Sequence, residues 1–209
     1  MRPTADEPPS AAIRRQFGDI DIYLFDQFAR GRFDQRRRVL DVGCGGGRNL
    51  RYALGQGYHC AAIDPDPAAI ARVRREAAAL GRHDVIPRLV IARAEAIPWP
   101  TAAFDVVVCS AVLHFAADAE EFGRMVTEMW RLLAPGGLFF ARLASTIGLD
   151  GFAGAAGRRV RLPDGSDRFV VDETMLLEWT ARLGGTLADP LKTTNVQQMR
   201  CMTTWCVVR

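Results

Sequence analysis

The segment Arg38 to Asn49, RVLDVGCGGGRN, decides the fold of this 209-residue chain. It opens with an apolar run, Val39, Leu40 and Val42, of the kind found in a strand buried on both faces. The run ends in four glycines, Gly43, Gly45, Gly46 and Gly47. Glycine adopts positive φ at little cost and has no Cβ to keep a ligand away from the backbone. If a helix opens at Arg48, its free N–H groups face the turn. We therefore expect a strand, a tight turn and a helix, with a ligand bound at the turn.

The spacing of the glycines constrains the ligand. A dinucleotide fingerprint, G-x-G-x-x-G, fits poorly, because its last position counted from Gly43 is Arg48 and the third glycine falls one place early, at Gly47. Asp41 also places a carboxylate at the mouth of the turn. A carboxylate there would repel a pyrophosphate but suits a ligand with an ammonium or sulfonium centre.

A second acidic residue follows at the end of the next expected strand. The segment HCAAID is the expected second strand, and it ends at Asp64, 23 positions after Asp41. With the first strand and the helix between them, this strand completes a βαβ unit. A carboxylate in this place can accept hydrogen bonds from both ribose hydroxyls of an adenosine ligand. Pro65 then offers an apolar face to an adenine ring.

Two stretches resemble known motifs. Asp41–Gly47, DVGCGGG, resembles the first motif of the class I S-adenosylmethionine-dependent methyltransferases, and Arg131–Gly137, RLLAPGG, matches a structural phrase of the same family. The resemblance covers Arg38 to Leu143 and is weaker in the final third. It implies a single-domain α/β fold: a Rossmann-like, doubly wound, seven-stranded sheet, mostly parallel, with an antiparallel last strand. It also implies S-adenosyl-L-methionine as cofactor and a small-molecule acceptor, as in the tellurite-resistance and quinone-biosynthesis methyltransferases.

The resemblance also implies the cofactor contacts. They are expected at Asp41, Gly43, Cys44, Gly45, Gly47, Asp64, Pro65, Ala94, Glu95 and Ser110. The chain departs from the pattern at Arg93, where many members place an aspartate that accepts from the adenine amino group. Arginine has no acceptor. We therefore expect Glu95 or the Ala94 backbone to contact adenine, and Ser110, at the end of the fourth strand, to lie near the reactive end of the cofactor.

Two segments are expected to flank the site. We expect residues 1–12 to form a disordered or loosely held tail. Residues 13–209 are expected to form the methyltransferase domain, and its first part, residues 13–37, is expected to be an N-terminal cap. Apolar residues at helical spacing predict a helix over Asp19 to Gly31. One side of it can pack on the sheet, as an ordinary docking helix does. In the family such a helix commonly closes over the cofactor, which would make Tyr23, Phe25 or Asp26 a roof and Tyr23 a cofactor contact.

The second flanking segment is a lid-like insertion over residues 145–171. It is rich in glycine, contains Arg158, Arg159 and Arg161, and has a hairpin turn signal at residues 163–166. Its arginines fit either an anionic acceptor or a solvated loop. After it, Leu187 to Val196 and Met202 to Val208 are expected to form the two closing strands.

Composition narrows the classes of partner. The net charge is +3, from 27 basic and 24 acidic residues, so nothing demands nucleic acid or a membrane surface. No apolar stretch approaches the roughly 20 residues of a membrane span. The five cysteines form no C-x-x-C pair that would suggest a metal, and their odd number favours free thiols in a reducing, cytoplasmic setting. The oligomeric state stays open.

The expected reaction is in-line displacement at a sulfonium methyl group. His114 follows the fourth strand and is the candidate for a general base or an acceptor-positioning residue, although it could simply pack beside Phe115. Two other functions stay open: a catalytically silent S-adenosylmethionine-binding or interaction protein, which would share these motifs, and a nucleotide-dependent oxidoreductase, which would share the fold. Asp41 and the early third glycine count against the oxidoreductase.

Overall fold

The computed structural model describes residues 8–150 and 158–209. Residues 1–7 of the expected tail and residues 151–157 of the expected insertion lie outside the described residues. The α-helices are α1 (Pro9–Phe17), α2 (Ile22–Ala29), α3 (Arg51–Gly55), α4 (Pro67–Ala79), α5 (Ala119–Leu132) and α6 (Glu173–Arg182). The strands are β1 (Arg38–Val42), β2 (His59–Asp64), β3 (Leu89–Ile91), β4 (Phe104–Ser110), β5 (Leu133–Ser145), β6 (Arg159–Arg161), β7 (Asp167–Phe169), β8 (Thr186–Leu187), β9 (Lys192–Val196) and β10 (Arg200–Val208).

The main sheet has the order β3-β2-β1-β4-β5-β10-β8, with β9 also paired to β10. The first five strands are parallel to their neighbours, and β10 runs antiparallel to β5. The strand order reverses between β1 and β4, which opens a crevice at their carboxyl ends. This arrangement confirms the expected α/β fold, a doubly wound, mostly parallel sheet with an antiparallel last strand.

The strand count differs from the expected seven. Within the described residues the main sheet has eight strands, because the closing strand expected over Leu187 to Val196 is divided into β8 and β9. Both pair antiparallel with β10. The break contains Pro190, which has no N–H for a sheet hydrogen bond. It also contains Asp189, whose carboxylate accepts hydrogen bonds from Arg32 and Gln27 instead.

Helices cover both faces of the sheet. Leu40 belongs to the cluster that packs under α5 and α6, whereas its neighbour Val39 belongs to the cluster under α2, α3 and α4. Both side chains are buried, as the apolar run of β1 predicts. On one face the core is built largely by Phe122, Met125 and Met129 of α5, whose helical spacing gives that helix one apolar side.

The first helix of the chain begins at an earlier residue than expected. Order was predicted to begin near Ile13, but α1 starts at Pro9 because proline is well tolerated in the first helical turn. The helix expected over Asp19 to Gly31 is α2, and it begins after Asp21, whose side chain accepts from the Tyr23 amide as N-cap. Within the described residues no helix is both long and apolar enough to cross a membrane.

The insertion carries a hairpin outside the main sheet. β6 and β7 pair antiparallel, and the Leu162 amide donates to the Ser166 carbonyl to close the turn. This agrees with the hairpin turn predicted at residues 163–166. The hairpin packs near the Leu113–Phe115 turn that follows β4, where Arg159 donates to the carbonyls of Phe115 and Ala116. It therefore lies at the carboxyl end of the parallel strands.

Candidate active site

The glycine turn after β1 is tied to the end of β2. The amides of Gly43 and Cys44 both donate to the Ile63 carbonyl, at 2.8 and 3.0 Å. Gly45 has a φ of +50°, and nothing lies within 4 Å of the place where its Cβ would be. The turn therefore needs glycine for its backbone conformation and leaves open space against the chain.

Asp64 is fixed beside this turn by two backbone amides. One carboxylate oxygen accepts from the Gly45 amide at 2.8 Å, and the other accepts from the Asp66 amide at 2.9 Å. Each oxygen keeps lone pairs for further donors. Asp64 and Pro65 both line the same cavity as Gly43 and Gly45, so the structure brings these predicted cofactor residues together.

Asp41 is buried rather than exposed at the mouth of the turn. Only 2% of the residue is accessible, and its Oδ2 has no hydrogen-bond partner within the described residues. Burial raises the pKa of Asp41 to about 7, an effect that Arg48 opposes and Asp64 reinforces. Asp41 itself is not among the residues that line the cavities of this site, whereas Gly43, two positions later, lines two of them, and a cationic group bound there would stabilise the charged form of this carboxyl.

Three cavities meet at the carboxyl end of the sheet. The Asp64 cavity, about 450 Å³, extends from Gly43 and Asp64 to Glu95 and Phe115. The glycine-turn cavity, about 950 Å³, lies between the glycine turn and the end of α1. The arginine cavity, about 350 Å³, is lined by Arg142, Arg168 and Arg200. Ala111 lines all three, so they adjoin at the end of β4.

Ala111 holds an unusual backbone conformation at this junction. Its φ is +64°, in the left-handed region that residues with a Cβ rarely adopt, and its amide donates to the Arg142 carbonyl at 2.7 Å. Such strain persists where the surroundings enforce it, and it concentrates at functional sites.

The remaining predicted residues divide between these cavities. Ala94 and Glu95 line the Asp64 cavity, while Cys44, Gly47 and Ser110 line the glycine-turn cavity. Burial raises the pKa of the Cys44 thiol, so this cysteine is not a thiolate nucleophile.

The side chain of Arg93 is held by the carboxylates of two residues that line the Asp64 cavity. Its guanidinium donates to Glu95 at 3.1 Å and to Glu121 at 3.3 Å, and its own side chain is 69% exposed. Glu121 also accepts from the Ala117 amide at 2.6 Å. The arrangement leaves Arg93 as a group that orients Glu95, with the acceptor atoms supplied by the two glutamates.

Tyr23 does not line any of the three cavities. Its hydroxyl is bonded to the Thr194 hydroxyl at 2.6 Å, and the Arg142 guanidinium lies over its ring. Phe25 packs on Phe17 and Tyr52 instead of forming a roof. Asp26, the third expected roof residue, pairs with Arg30 and Lys192. The cavity wall expected from α2 comes instead from the end of α1, through Arg14, Gly18 and Asp19.

Asp21, the N-cap of α2, is buried at the centre of a polar cluster. Its Oδ2 accepts from the Ser110 hydroxyl at 3.2 Å and from Arg142 at 3.1 Å, with Arg48 at 3.7 Å. Its amide donates to Asn49 at 3.0 Å. The cluster joins α2 to the carboxyl ends of β4 and β5, beside the glycine turn.

His114 lies in the wall of the arginine cavity and is 6% exposed. Its Nδ1 has no hydrogen-bond partner within the described residues, and its ring packs edge-on against Phe115. Burial, with a smaller contribution from Arg168, lowers the pKa of His114 to about 4. The imidazole is therefore neutral near pH 7.

The three arginines named in the predicted insertion do not form the charged cavity, although a fourth arginine of that segment, Arg168, lines it. Arg158 pairs with Asp172 at 2.9 Å, Arg159 donates to backbone carbonyls, and Arg161 is exposed. The sequence analysis did not identify the arginines that line this cavity, Arg142, Arg168 and Arg200. It also did not identify Asp21 and Ala111. One signal was present: Arg142 is a charged residue inside the apolar strand GLFFARLA, a position where arginine needs a partner. No group of three or more potential metal ligands occurs in the described parts of the chain.

Comparisons with known proteins agree with this architecture. The sequence model of a family described as a methyltransferase domain matches residues 40–141. A malonyl-[acyl-carrier protein] O-methyltransferase of Halorhodospira halophila is 34% identical over 149 residues, which are 67% of this chain and 47% of that protein. A ubiquinone biosynthesis O-methyltransferase of Methylocella silvestris is 36% identical over 104 residues, 50% of this chain and 38% of that protein. The chain thus spans less than half the length of these relatives.

A solved structure extends the likeness to the whole chain at the level of fold. The 1,6-didemethyltoxoflavin-N1-methyltransferase of Burkholderia thailandensis, solved with 1,6-didemethyltoxoflavin and S-adenosylhomocysteine bound, superposes with a TM-score of 0.63. It is 18% identical, and the alignment covers 100% of this chain and 92% of that one. The glycine turn and the reversal of strand order lie within the segment that the family model matches, and residues 40–141 are thus similar in sequence and in fold to the class I S-adenosylmethionine-dependent methyltransferases.

Proposed function

We propose that this protein transfers a methyl group from S-adenosyl-L-methionine to a small-molecule acceptor. The observation that carries the proposal is the Asp64 carboxylate, which lines the Asp64 cavity and is held by the Asp66 amide and by the amide of Gly45, a residue that lines both this cavity and the glycine-turn cavity. This is the position in which a carboxylate can accept from ribose hydroxyls while the rest of an adenosine ligand extends to either side.

The residues present fit this cofactor. Asp64 would hold the ribose, and Ala94 and Glu95 would face the adenine in the Asp64 cavity. The amino-acid end would lie in the glycine-turn cavity, where Gly45 leaves the backbone open and the unpartnered, buried carboxyl of Asp41 favours a cationic neighbour. When bound, the cofactor supplies an electrophilic methyl group on a sulfonium sulfur.

The acceptor would occupy the arginine cavity. That cavity adjoins the other two at Ala111, next to Ser110 at the end of β4. Holding the acceptor on the line of displacement can contribute up to about 7–11 kcal/mol to lowering the barrier, whereas a general base adds roughly 10²- to 10⁴-fold in rate. A neutral histidine whose conjugate acid has a pKa of about 4 is a weak base. His114 therefore acts in this proposal by positioning the acceptor.

The β6–β7 hairpin would cover the acceptor. It contributes Leu162, Asp164, Ser166 and Arg168 to the wall of the arginine cavity. Slower amide hydrogen exchange in the hairpin with cofactor product and acceptor bound together, compared with the free protein, would support a lid. Unchanged exchange in this segment would contradict it.

Two assays test the function. Calorimetry with S-adenosylhomocysteine is expected to give a one-to-one complex, and transfer of a labelled methyl group across an acceptor panel is expected to give a methylated product. Binding without turnover on any acceptor would favour the catalytically silent binding protein. A fluorescence change with reduced nicotinamide cofactor, without binding of S-adenosylhomocysteine, would favour an oxidoreductase.

We also propose a cytoplasmic setting. All five cysteines are free and buried, which is usual for thiols in a reducing compartment. Burial raises the pKa of Cys60 and of Cys206 to about 12, so these thiols stay protonated. Fractionation of the cells that make the protein would test the location.

A further inference from the structure

The arginine cavity has a chemical character that the proposed reaction alone does not explain. Three guanidinium groups from three elements converge on about 350 Å³: Arg142 from β5, Arg168 from β7 and Arg200 from β10. This volume is near the lower end of the range for small-molecule pockets. Arginine presents its donors as a planar fork that matches a carboxylate or a phosphate.

Two carboxylates offset part of this charge. Arg142 is paired with Asp21 at 3.1 Å, and Arg200 lies 3.6 Å from Asp164. Arg168 has no ion-pair partner within 4 Å in the described parts of the chain: it donates to the carbonyl of its own neighbour Asp167, lies over the ring of Phe115, and acts on Asp164 only at longer range. With Arg142 facing Asp21 and Arg200 facing Asp164, Arg168 is the guanidinium of the cavity wall without an ion-pair partner among the described residues.

The cavity wall also contains polar atoms that lack partners. Arg142 Nε and His114 Nδ1 are buried without a hydrogen bond among the described residues, although buried polar groups are paired in most folded proteins. The Ser166 hydroxyl, held by Asp164, is a further polar group in the same wall. Burial keeps His114 uncharged, so it adds hydrogen-bonding capacity and no further positive charge.

We propose that the methyl acceptor carries a carboxylate group and that this group binds in the arginine cavity, with Arg168 as its principal partner. The inference rests on the proposed function and names the acceptor class of that same site. A single unpaired guanidinium favours a carboxylate over a phosphate, because one planar fork matches the single charge and the two oxygens of a carboxylate, whereas a phosphate dianion would need a second fork. Arg168 is the best-placed donor because its fork is not engaged by an acidic side chain, whereas Arg142 already holds Asp21.

The test uses the full chain saturated with S-adenosylhomocysteine and a set of matched small aromatic probes. Each pair consists of a carboxylate and its neutral amide, such as 4-hydroxybenzoate with 4-hydroxybenzamide, and phosphorylated phenols form a third arm. Dissociation constants are measured by calorimetry or by ligand-observed magnetic resonance. We expect at least one carboxylate to bind at least tenfold more tightly than its amide, and more tightly than the phosphorylated probe.

Substitution then assigns the effect to the cavity. Arg168→Gln is expected to weaken the preferred carboxylate at least tenfold and to leave its amide within twofold. Arg168→Lys, which keeps the charge but loses the fork, is expected to give an intermediate loss. The matched control is Arg161→Gln, which removes the same charge from the exposed strand of the same hairpin and is expected to change neither affinity.

The outcomes separate the two proposals. If S-adenosylhomocysteine does not bind, the proposed function fails. If S-adenosylhomocysteine binds but no carboxylate probe binds more tightly than its amide, or no binding of a carboxylate is detected, the carboxylate proposal is overturned while the proposed function stands. Preference for the phosphorylated probe, or equal losses in Arg168→Gln and Arg161→Gln, would also overturn it. A melting temperature of Arg168→Gln close to that of the parent shows that the comparison concerns folded protein.

Discussion

The carboxylate of Asp64 accepts a hydrogen bond from the backbone amide of Gly45, 19 residues earlier in the chain, at 2.8 Å. The bond holds an acidic side chain against the glycine turn and leaves acceptor capacity on both oxygens for a ligand.

The first prediction is that Asp64→Ala weakens binding of S-adenosylhomocysteine by about tenfold or more. Hydrogen bonds to a charged group contribute roughly 1.5–3 kcal/mol, and 1.4 kcal/mol is a tenfold change in affinity. Calorimetry measures the change. Asp84→Ala, which removes a carboxylate that is paired with Arg82 and lines none of the three cavities, is the control. Equal affinities for parent and Asp64→Ala would show that this carboxylate does not hold the ribose.

The second prediction concerns the Arg93 loop. Arg93→Ala should weaken cofactor binding less than Asp64→Ala does, because Arg93 bonds to Glu95 and Glu121 and has no acceptor for an adenine amino group. Glu95→Ala should weaken binding more than Arg93→Ala. The measurement is calorimetry on folded variants. A loss in Arg93→Ala as large as that in Asp64→Ala would mean that the guanidinium itself contacts the ligand.

The third prediction is a pH dependence of stability from His114. Its folded pKa is about 4 against an ordinary value of 6.5, so between these values the unfolded chain binds more protons than the folded one. The free energy of unfolding should therefore rise as the pH rises from 4 to 6.5 and should gain nothing more from this group above that range. The contribution amounts to roughly 3 kcal/mol.

Urea unfolding of the parent and of His114→Gln at several pH values isolates this contribution as the difference between the two curves. His83→Gln, an exposed histidine replaced in the same way, should give a curve parallel to that of the parent. If parent and His114→Gln are parallel as well, His114 titrates normally in the folded protein.

The fourth prediction is release of protons when the cofactor binds. With a pKa of about 7, Asp41 is about half protonated at pH 7 in the free protein, and a cationic ligand nearby favours its charged form. Binding of S-adenosyl-L-methionine at pH 7 should release up to about half a proton. Calorimetry in two buffers of different ionisation enthalpy measures it. Asp41→Asn should remove the difference between buffers, and a difference that persists would assign the proton to another group.

The fifth prediction is that Asp21→Ala destabilises the fold by about 2 kcal/mol or more. The change removes a helix N-cap and leaves Arg142 and the Ser110 hydroxyl without their acceptor. Urea unfolding measures the loss. Asp19→Ala, two residues earlier and exposed, should stay within about 0.5 kcal/mol of the parent. A similarly small effect for Asp21→Ala would mean that the cluster contributes little to stability.

The glycine turn and the two acidic residues after β1 and β2 could be predicted from the sequence because their signals are local. A buried strand, a run of glycines and the spacing to Asp64 lie within 27 residues from Arg38 to Asp64. The resemblance to a family then supplied the doubly wound, mostly parallel sheet and its antiparallel last strand. The caps Asp66 on α4 and Asp172 on α6 are local in the same sense, because each lies next to the helix that it starts.

The wall of the acceptor cavity could not be predicted in the same way. Arg142, Arg168 and Arg200 are far apart in the chain and meet only because β5 and β10 pair and the β6–β7 hairpin packs beside them. The local signal, the arginines of the insertion, pointed to Arg158 and Arg159, which instead bond within the fold. Tyr23 was expected to contact the cofactor, and it lies away from the three cavities, for a related reason. Helical spacing predicts which side chains share one face of a helix, but it does not predict what that face packs against.

The ion pair between Asp21 and Arg142 lies just outside the segment that the family match covers, residues 40–141. One partner precedes that segment by 19 positions and the other follows it by one. A chain trimmed to residues 40–141 would therefore lose both halves of the contact that ties the N-terminal helices to the end of β5, together with a wall of the glycine-turn cavity. The smallest unit of this chain with a complete cleft is therefore longer than the segment that the family model matches.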